Sequence, residues 1–100
     1  MSAGATQAAV SDFTESLRLK KDNMAALAGR GWAKFTIRDL PGSLGDYGDA
    51  IRLSPNSVQL FVERGHINIV AEKMDDAIRD CTEALKLDPK NANALRKRAY

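Results

Sequence analysis

The sequence predicts an all-α protein built from repeated pairs of helices. The first observation is self-similarity at a spacing of 34 residues, between the segment that ends at Pro55 and the segment that ends at Pro89. Alignment of these two prolines needs no gap and pairs Asp46 with Asp80, Ala50 with Ala84, Ile51 with Leu85, Arg52 with Lys86 and Leu53 with Leu87. Repetition at such a period is typical of repeat architectures.

The second observation is that the match extends to the flanking segments. The equivalent residues are Gly31 and Gly65; Arg30, Arg64 and Arg98; and Leu27, Phe61 and Leu95. The third is the spacing of apolar residues, which is three or four along each segment, as in Val10, Phe13 and Leu17. That spacing places them on one face of a helix.

These patterns predict helices over residues 7–19, 24–37, 58–71 and 74–87, and another that starts near Pro41, where the fixed φ of proline suits the first helical turn. Residues 55–57 read as a turn followed by a helix start. We predict one domain over residues 1–100. It comprises a half repeat at 7–21, a degenerate repeat at 22–55, a full repeat at 56–89, and at 90–100 either the start of a further repeat or a cap helix.

The glycines divide into three kinds. Gly31 and Gly65 recur one period apart, which indicates that two helices approach closely there, whereas Gly29 has no repeat partner and no evident packing reason. Three more, Gly42, Gly45 and Gly48, fall within the helix that starts near Pro41. Each glycine makes the free energy of helix formation about 0.8–1 kcal/mol less favourable than alanine would in a helix interior, so we expect this helix to fray.

Composition excludes several classes of function. The chain has 44% hydrophobic and 28% charged residues and a formal net charge of +2, values typical of a globular protein. Its single cysteine and single histidine, Cys81 and His66, provide no disulfide framework and no metal-ligand set, and they fall on different predicted helices. We therefore expect no enzyme activity, no cofactor and no metal, no membrane span, and a cytoplasmic location.

These residues resemble the tetratricopeptide repeat (TPR), a 34-residue helix-turn-helix unit. The resemblance rests on Phe61 and Gly65 in the first helix of the full repeat, Ala77 and Ala84 in its second helix, and the closing Pro89. It implies a right-handed α-α superhelix, a solenoid of antiparallel helix pairs whose first helices line a concave groove that binds peptides or proteins. Departures cluster in residues 22–55, where Ser43 replaces the first alanine.

The resemblance also implies which residues contact a partner. These groove positions include Trp32, Phe35, Gln59, Val62, Glu63, His66, Ile69 and Lys97. Two alternatives stay open at this point: Val62, Ile69 and Val70 could instead pack between helices, and Trp32 could lie in the groove or in the core.

Some members of the family clamp the C-terminal carboxylate of chaperones with lysine, asparagine and arginine side chains. The matching positions here hold Ala28, Trp32, Glu63, Asn93 and Lys97. Because only one of these is a cation and Glu63 would repel a carboxylate, we expect no chaperone clamp.

The leading hypothesis is therefore a non-catalytic protein-interaction module. Self-association is a companion hypothesis, because the faces around Val10 and Phe13, or around Leu95 and Tyr100, would lack a covering repeat. One alternative is nucleic-acid binding by a basic C-terminal end that contains Lys86, Lys90, Arg96, Lys97 and Arg98. Another is that the chain is a regulatory fragment of a larger enzyme.

Overall fold

Five α-helices make up the structure. The computed structural model describes the backbone of residues 3–89 and the side chains of residues 7–89, and no strand occurs in that part of the chain. The helices are α1 (Ala3–Leu19), α2 (Met24–Thr36), α3 (Leu40–Leu53), α4 (Val58–Val70) and α5 (Met74–Leu87). The predicted all-α class is confirmed. The repeat start or cap helix predicted from Lys90 onward lies outside the described residues. None of the described helices is long and apolar enough to cross a membrane.

The chain divides into two compact units. Met1–Ser54 contains α1, α2 and α3, and Pro55–Tyr100 contains α4 and α5. In the first unit α2 packs against both α1 and α3, and in the second α4 packs against α5. In the terms of the repeat, α2 and α4 are first helices, and α1, α3 and α5 are second helices.

Local sequence explains where the helices begin and end. The side chains of Asn23, Asp39 and Ser57 accept hydrogen bonds from the first free backbone N–H groups of α2, α3 and α4. At the opposite ends of α2 and α4, Arg38 and Glu72 adopt left-handed φ values of 67° and 61°. The backbone N–H groups at 38–39 and 72–73 then bond the last carbonyls of these two helices, as in a Schellman motif. The two turns are equivalent in the repeat.

The repeated glycines lie where first and second helices meet. A Cβ on Gly31 would be 2.9 Å from the ring of Tyr47, and a Cβ on Gly65 would be 3.2 Å from the sulfur of Cys81. Tyr47 and Cys81 are themselves fully buried. The predicted close approach of helices at these two glycines is confirmed.

The structure corrects the expectation for Gly29. The sequence offered no packing reason for it, but a Cβ there would be 2.6 Å from Cζ of Phe13. The missing side chain of Gly29 on α2 therefore makes room for the Phe13 ring on α1. Gly29 is therefore needed for the contact between α1 and α2 within the first unit.

An arginine–aspartate pair links the first and second helices of each unit. Nε and Nη2 of Arg30 donate to the two carboxylate oxygens of Asp46 at 2.8 and 2.7 Å. Arg64 donates to Asp80 in the same way at 2.9 and 2.7 Å. Nζ of Lys34 adds an ion pair to Asp46 at 3.3 Å, and the amide of Asn68 donates to Asp80 at 2.9 Å. Both carboxylates are almost completely buried, so these contacts replace the water they have lost.

The glycine-rich helix α3 is nonetheless continuous from Leu40 to Leu53. A Cβ on Gly45 or Gly48 would meet no atom within 4 Å, so neither glycine is required by packing. A Cβ on Gly42 would collide with the Asp39 side chain that caps the helix. The expectation that α3 frays stays a prediction.

We expect Gly45→Ala and Gly48→Ala each to raise the free energy of unfolding by about 0.5–1 kcal/mol, because alanine restricts the unfolded chain and fits the open helix surface. Gly31→Ala is the matched control. Its new methyl would press on the Tyr47 ring, and we expect a loss of about 1–3 kcal/mol. Urea unfolding of the three variants provides the measurement. Equal effects at Gly31 and Gly45 would contradict this account of the glycines.

We expect Asp80→Ala to lower the free energy of unfolding by about 2–3 kcal/mol, because it leaves the buried amide of Asn68 and the partly buried guanidinium of Arg64 without their acceptor. Asp76→Ala, on the same helix, is the control. That carboxylate pairs at 3.3 Å with an exposed Arg79, so its removal should cost less than about 1 kcal/mol. Denaturant unfolding that ranks the two variants in the reverse order would refute a structural role for the buried pair.

Candidate partner-binding surface

The most exposed aromatic surface among the described residues lies on α2. Trp32 exposes 43% of its surface and lies next to Phe35, with ring centroids 5.2 Å apart and planes tilted by 45°. The opposite side of α2 is occupied by Leu27, Arg30 and Gly31 in contacts with the rest of the unit. Trp32 and Phe35 are three residues apart, so one helix face presents both rings.

Arg38 extends this surface at the end of α2. Its guanidinium carbon lies 5.9 Å from the centroid of the Phe35 ring. We call Trp32, Phe35 and Arg38 the α2 aromatic surface. Sequence reasoning missed Arg38, because the left-handed turn that brings its side chain back toward Phe35 is a feature of the helix end. The only signal was the separation of three residues from Phe35.

The other cations of α2 are engaged within the unit. Arg30 and Lys34 both contact Asp46, and the hydrogen bond from Asp46 raises the pKa of Arg30 above its ordinary value. By contrast, Arg38 forms no ion pair with any described residue. Its charge is therefore available to a partner at the edge of the α2 aromatic surface.

The predicted contact residues of α4 also share one helix face, because their spacing is three or four. Their exposure differs: Gln59 is exposed, Glu63, His66 and Ile69 are half-buried, and Val62 exposes only 7% of its surface. Val62 can therefore contribute almost no contact area in this conformation. Lys97, the remaining predicted contact residue, lies outside the described residues, as does Asn93 of the clamp pattern.

Cys81 and His66 are the two residues that the sequence offers for nucleophile chemistry. Cys81 is completely buried, and its sulfur lies against the backbone at Gly65. His66, the other candidate, is on α4 and half-buried. No group of three or more potential metal ligands occurs among the described residues.

A shallow depression of about 300 Å³ lies in the first unit, between the α1–α2 turn and the end of α3. It is lined by Lys21, Asp22, Leu27, Asp49, Arg52 and Leu53. Asp49 and Arg52 pair with each other, which leaves one cation and one anion at the rim. This balanced charge favours no class of ligand.

Comparison with known proteins supports the architecture. No protein-family model matches the sequence, and no curated protein matches it. Solved structures do match. One is the first TPR of Spaghetti (RPAP3) bound to the HSP90 peptide SRMEEVD, with a TM-score of 0.89 and 21% identity over 96% of this chain and 76% of that chain.

Two further structures give the same result. The second TPR domain of human RPAP3, in complex with the HSP70 peptide SGPTIEEVD, matches with a TM-score of 0.88 and 24% identity over 96% of this chain and 80% of that chain. The TPR domain of Arabidopsis OM64 matches with a TM-score of 0.87 and 22% identity, covering 96% and 79% respectively. The chain has a TPR-like, all-α helical repeat fold.

We expect the Cys81 thiol to be inert in the folded protein, because a completely buried sulfur cannot reach a reagent in solvent. Reaction with a colourless disulfide reagent should become fast only when denaturant unfolds the chain. The Cys81→Ser variant serves as the blank. Rapid labelling of the native protein would show that the thiol is accessible and reopen the question of nucleophile chemistry.

Proposed function

We propose that this protein is a non-catalytic interaction module that binds a peptide or protein through its first helices, with the α2 aromatic surface as the anchor. The observation that supports this most is the exposure of Trp32 beside Phe35. The exposed part of the tryptophan adds nothing to the stability of the fold, and exposed aromatic clusters are typical of interaction sites.

The physical argument concerns the cost of ordering a binding site. Trp32 and Phe35 belong to a helix that packs on both α1 and α3, so their backbone is already ordered before a partner arrives. Little entropy is then lost on binding, and a buried tryptophan can contribute a large share of the affinity. On α4, in the other unit, the exposed Gln59 and the half-buried Glu63 and His66 offer polar groups of their own.

Two of the matching solved structures are bound to peptides that end in EEVD. We propose that this chain does not share that ligand. At the positions where the family clamps a terminal carboxylate, it has Ala28, Trp32, Glu63, Asn93 and Lys97, which supply a single cation against one negative charge. A partner that buries an apolar side chain against Trp32 and places an acidic group near Arg38 fits the α2 aromatic surface better.

Self-association is a second candidate function. It is favoured by the open face of α1, on which Ala9, Val10 and Phe13 are only half-buried and Ala8 is exposed. Concentration-dependent light scattering of the purified chain tests this function separately from peptide binding.

The remaining alternatives receive less support. Lys86 is the one described member of the proposed basic end, and it is paired with Glu83 at 3.7 Å, while the others lie outside the described residues. Nucleic-acid binding would show a steep loss of affinity with salt, which an aromatic site would not. A role as the regulatory part of an enzyme would require a catalytic domain beyond these residues.

A single free, buried cysteine suits the reducing cytoplasm, where we propose that the protein acts.

We expect Trp32→Ala to weaken binding of a selected peptide at least about 30-fold, because tryptophan anchors commonly contribute about 2 kcal/mol or more. Peptides would be selected on the wild-type chain from a random display library, and their Kd would be measured by calorimetry. Leu19→Ala is the matched control, since Leu19 is 75% exposed and lies outside the α2 aromatic surface. Its affinity should be unchanged.

The same calorimetric series includes SRMEEVD, for which we expect no measurable binding. Selected peptides that bind Trp32→Ala as tightly as the wild type, while the variant keeps its helical circular dichroism, would overturn the proposed surface. Tight binding of SRMEEVD would show instead that the chain uses the same ligand as its structural neighbours.

A further inference from the structure

The repeat itself does not require the α2 aromatic surface. At the equivalent positions of the second unit, one period later, the residues are His66, Ile69 and Glu72. Arg38 and Glu72 occupy the same left-handed turn, with φ values of 67° and 61°, so the turn forms with either charge. Folding therefore does not explain why a cation and an aromatic ring meet at this turn in the first unit.

The charge that the α2 aromatic surface offers is a single cation. Arg38 is exposed, whereas Arg30 and Lys34 both contact the buried Asp46. The neighbouring carboxylate of Asp39 is engaged at the start of α3, where it accepts a hydrogen bond from a backbone N–H of that helix at 3.0 Å. One guanidinium can pair with both oxygens of one carboxylate, but it cannot balance the nearly two negative charges of a phosphate group. The charge of this surface therefore favours an Asp or Glu side chain.

Distances along the α2 aromatic surface limit how far apart two contacts of a ligand can be. The ring centroids of Trp32 and Phe35 lie 5.2 Å apart, and the guanidinium carbon of Arg38 lies 5.9 Å from the Phe35 centroid. Trp32 and Arg38 are therefore at most about 11 Å apart, the value for three groups in a line. Because an extended chain rises about 3.3 Å per residue, the two ligand side chains belong to residues no more than about three positions apart.

The same surface offers too few anchors for a docked helix. A helix that lies in a groove uses apolar anchors on several successive turns. The other exposed residues of α2 are Ala25 and Thr36, which are small, so Trp32 is the one large exposed anchor of this helix. One anchor and one charge fit a short extended segment.

We propose that the α2 aromatic surface recognises a short extended peptide segment in which an Asp or Glu lies two or three positions from a large apolar residue. The apolar side chain covers Trp32, and the carboxylate pairs with Arg38. This inference rests on the proposed function, and it assigns the acid specificity of that site to Arg38.

Parallel selections test this assignment. A random peptide display library is panned on the wild-type chain, on Arg38→Glu and on Lys20→Glu. We expect wild type and Lys20→Glu to select Asp or Glu two or three positions from a large apolar residue, and Arg38→Glu to select Lys or Arg there instead. Lys20→Glu is the matched control, because Lys20 is an exposed cation outside this surface and its reversal changes the net charge equally.

Calorimetry on one peptide from each selection measures the pairing. The acidic peptide should bind Arg38→Glu at least about 10-fold more weakly than the wild type, and the basic peptide should show the reverse preference. Phosphoserine in place of the acidic residue should not strengthen binding, because Arg38 offers one positive charge. Trp32 is the single tryptophan of the chain, so a change in its fluorescence on binding reports that the peptide covers this surface.

Circular dichroism should show full helix content in every variant, since Glu72 already occupies the equivalent turn. Arg38→Gln, which removes the charge without reversing it, provides the same comparison if Arg38→Glu loses helix content.

The outcomes separate this inference from the proposed function. Selected peptides that bind Trp32→Ala as tightly as the wild type would overturn the proposed site itself. Peptides that require Trp32 but have no acidic residue at this spacing, or that keep it when selected on Arg38→Glu, would overturn only the role of Arg38. A phosphoserine peptide that binds at least about 10-fold more tightly than its acidic parent would overturn the choice of a carboxylate.

Discussion

The bidentate pair between an arginine of the first helix and an aspartate of the second is the constraint on which each helix pair depends. It recurs with the same separation of 16 residues and nearly the same distances in both units. A buried carboxylate is costly unless a partner meets it with good geometry, so only one register of the two helices is satisfactory. That register places Gly31 opposite Tyr47 and Gly65 opposite Cys81, and the glycines let the helices approach closely enough for the pair to form.

This constraint divides each first helix into two functional sides. One side of α2 is committed to packing, because Arg30 and Gly31 must face α3 and Gly29 must admit the Phe13 ring. The other side has no such requirement, and it is there that Trp32 and Phe35 lie. In the function we propose, stability and recognition would therefore use different residues of one helix.

The helix α1 illustrates what happens to a repeated element in a different environment. Its Phe13 is the repeat equivalent of Tyr47 and Cys81, both of which lie against a glycine of their own first helix. In α1 the ring lies instead against Gly29 of the following helix, and Asp12 faces solvent. The same sequence pattern thus gives a sealed core in α3 and an open surface in α1, because burial depends on the neighbour as well as on the residue.

The sequence by itself determined the class of the fold, the helices and the starts of α3 and α4. Period and apolar spacing are local properties, and so is the cap chemistry of Ser57 or the proline start of α3, which explains why they can be read without coordinates. It also showed that Arg30, Arg64, Asp46 and Asp80 recur. It did not show that they pair, although their common separation of 16 residues was a usable signal.

Only the tertiary structure decided which of two residues on the same helix face is buried. Periodicity assigned Val62 and Ile69 to one face of α4, yet Val62 is almost completely buried and Ile69 only partly, because the two residues lie about two turns apart along the helix and meet different surroundings. The reason for Gly29 was hidden because it depends on the approach of α1 to α2, and the distance of that approach is set by the packing of the whole unit. The contact of Arg38 with Phe35 is local, but it requires the left-handed turn at Arg38, which the periodicity of the sequence does not show.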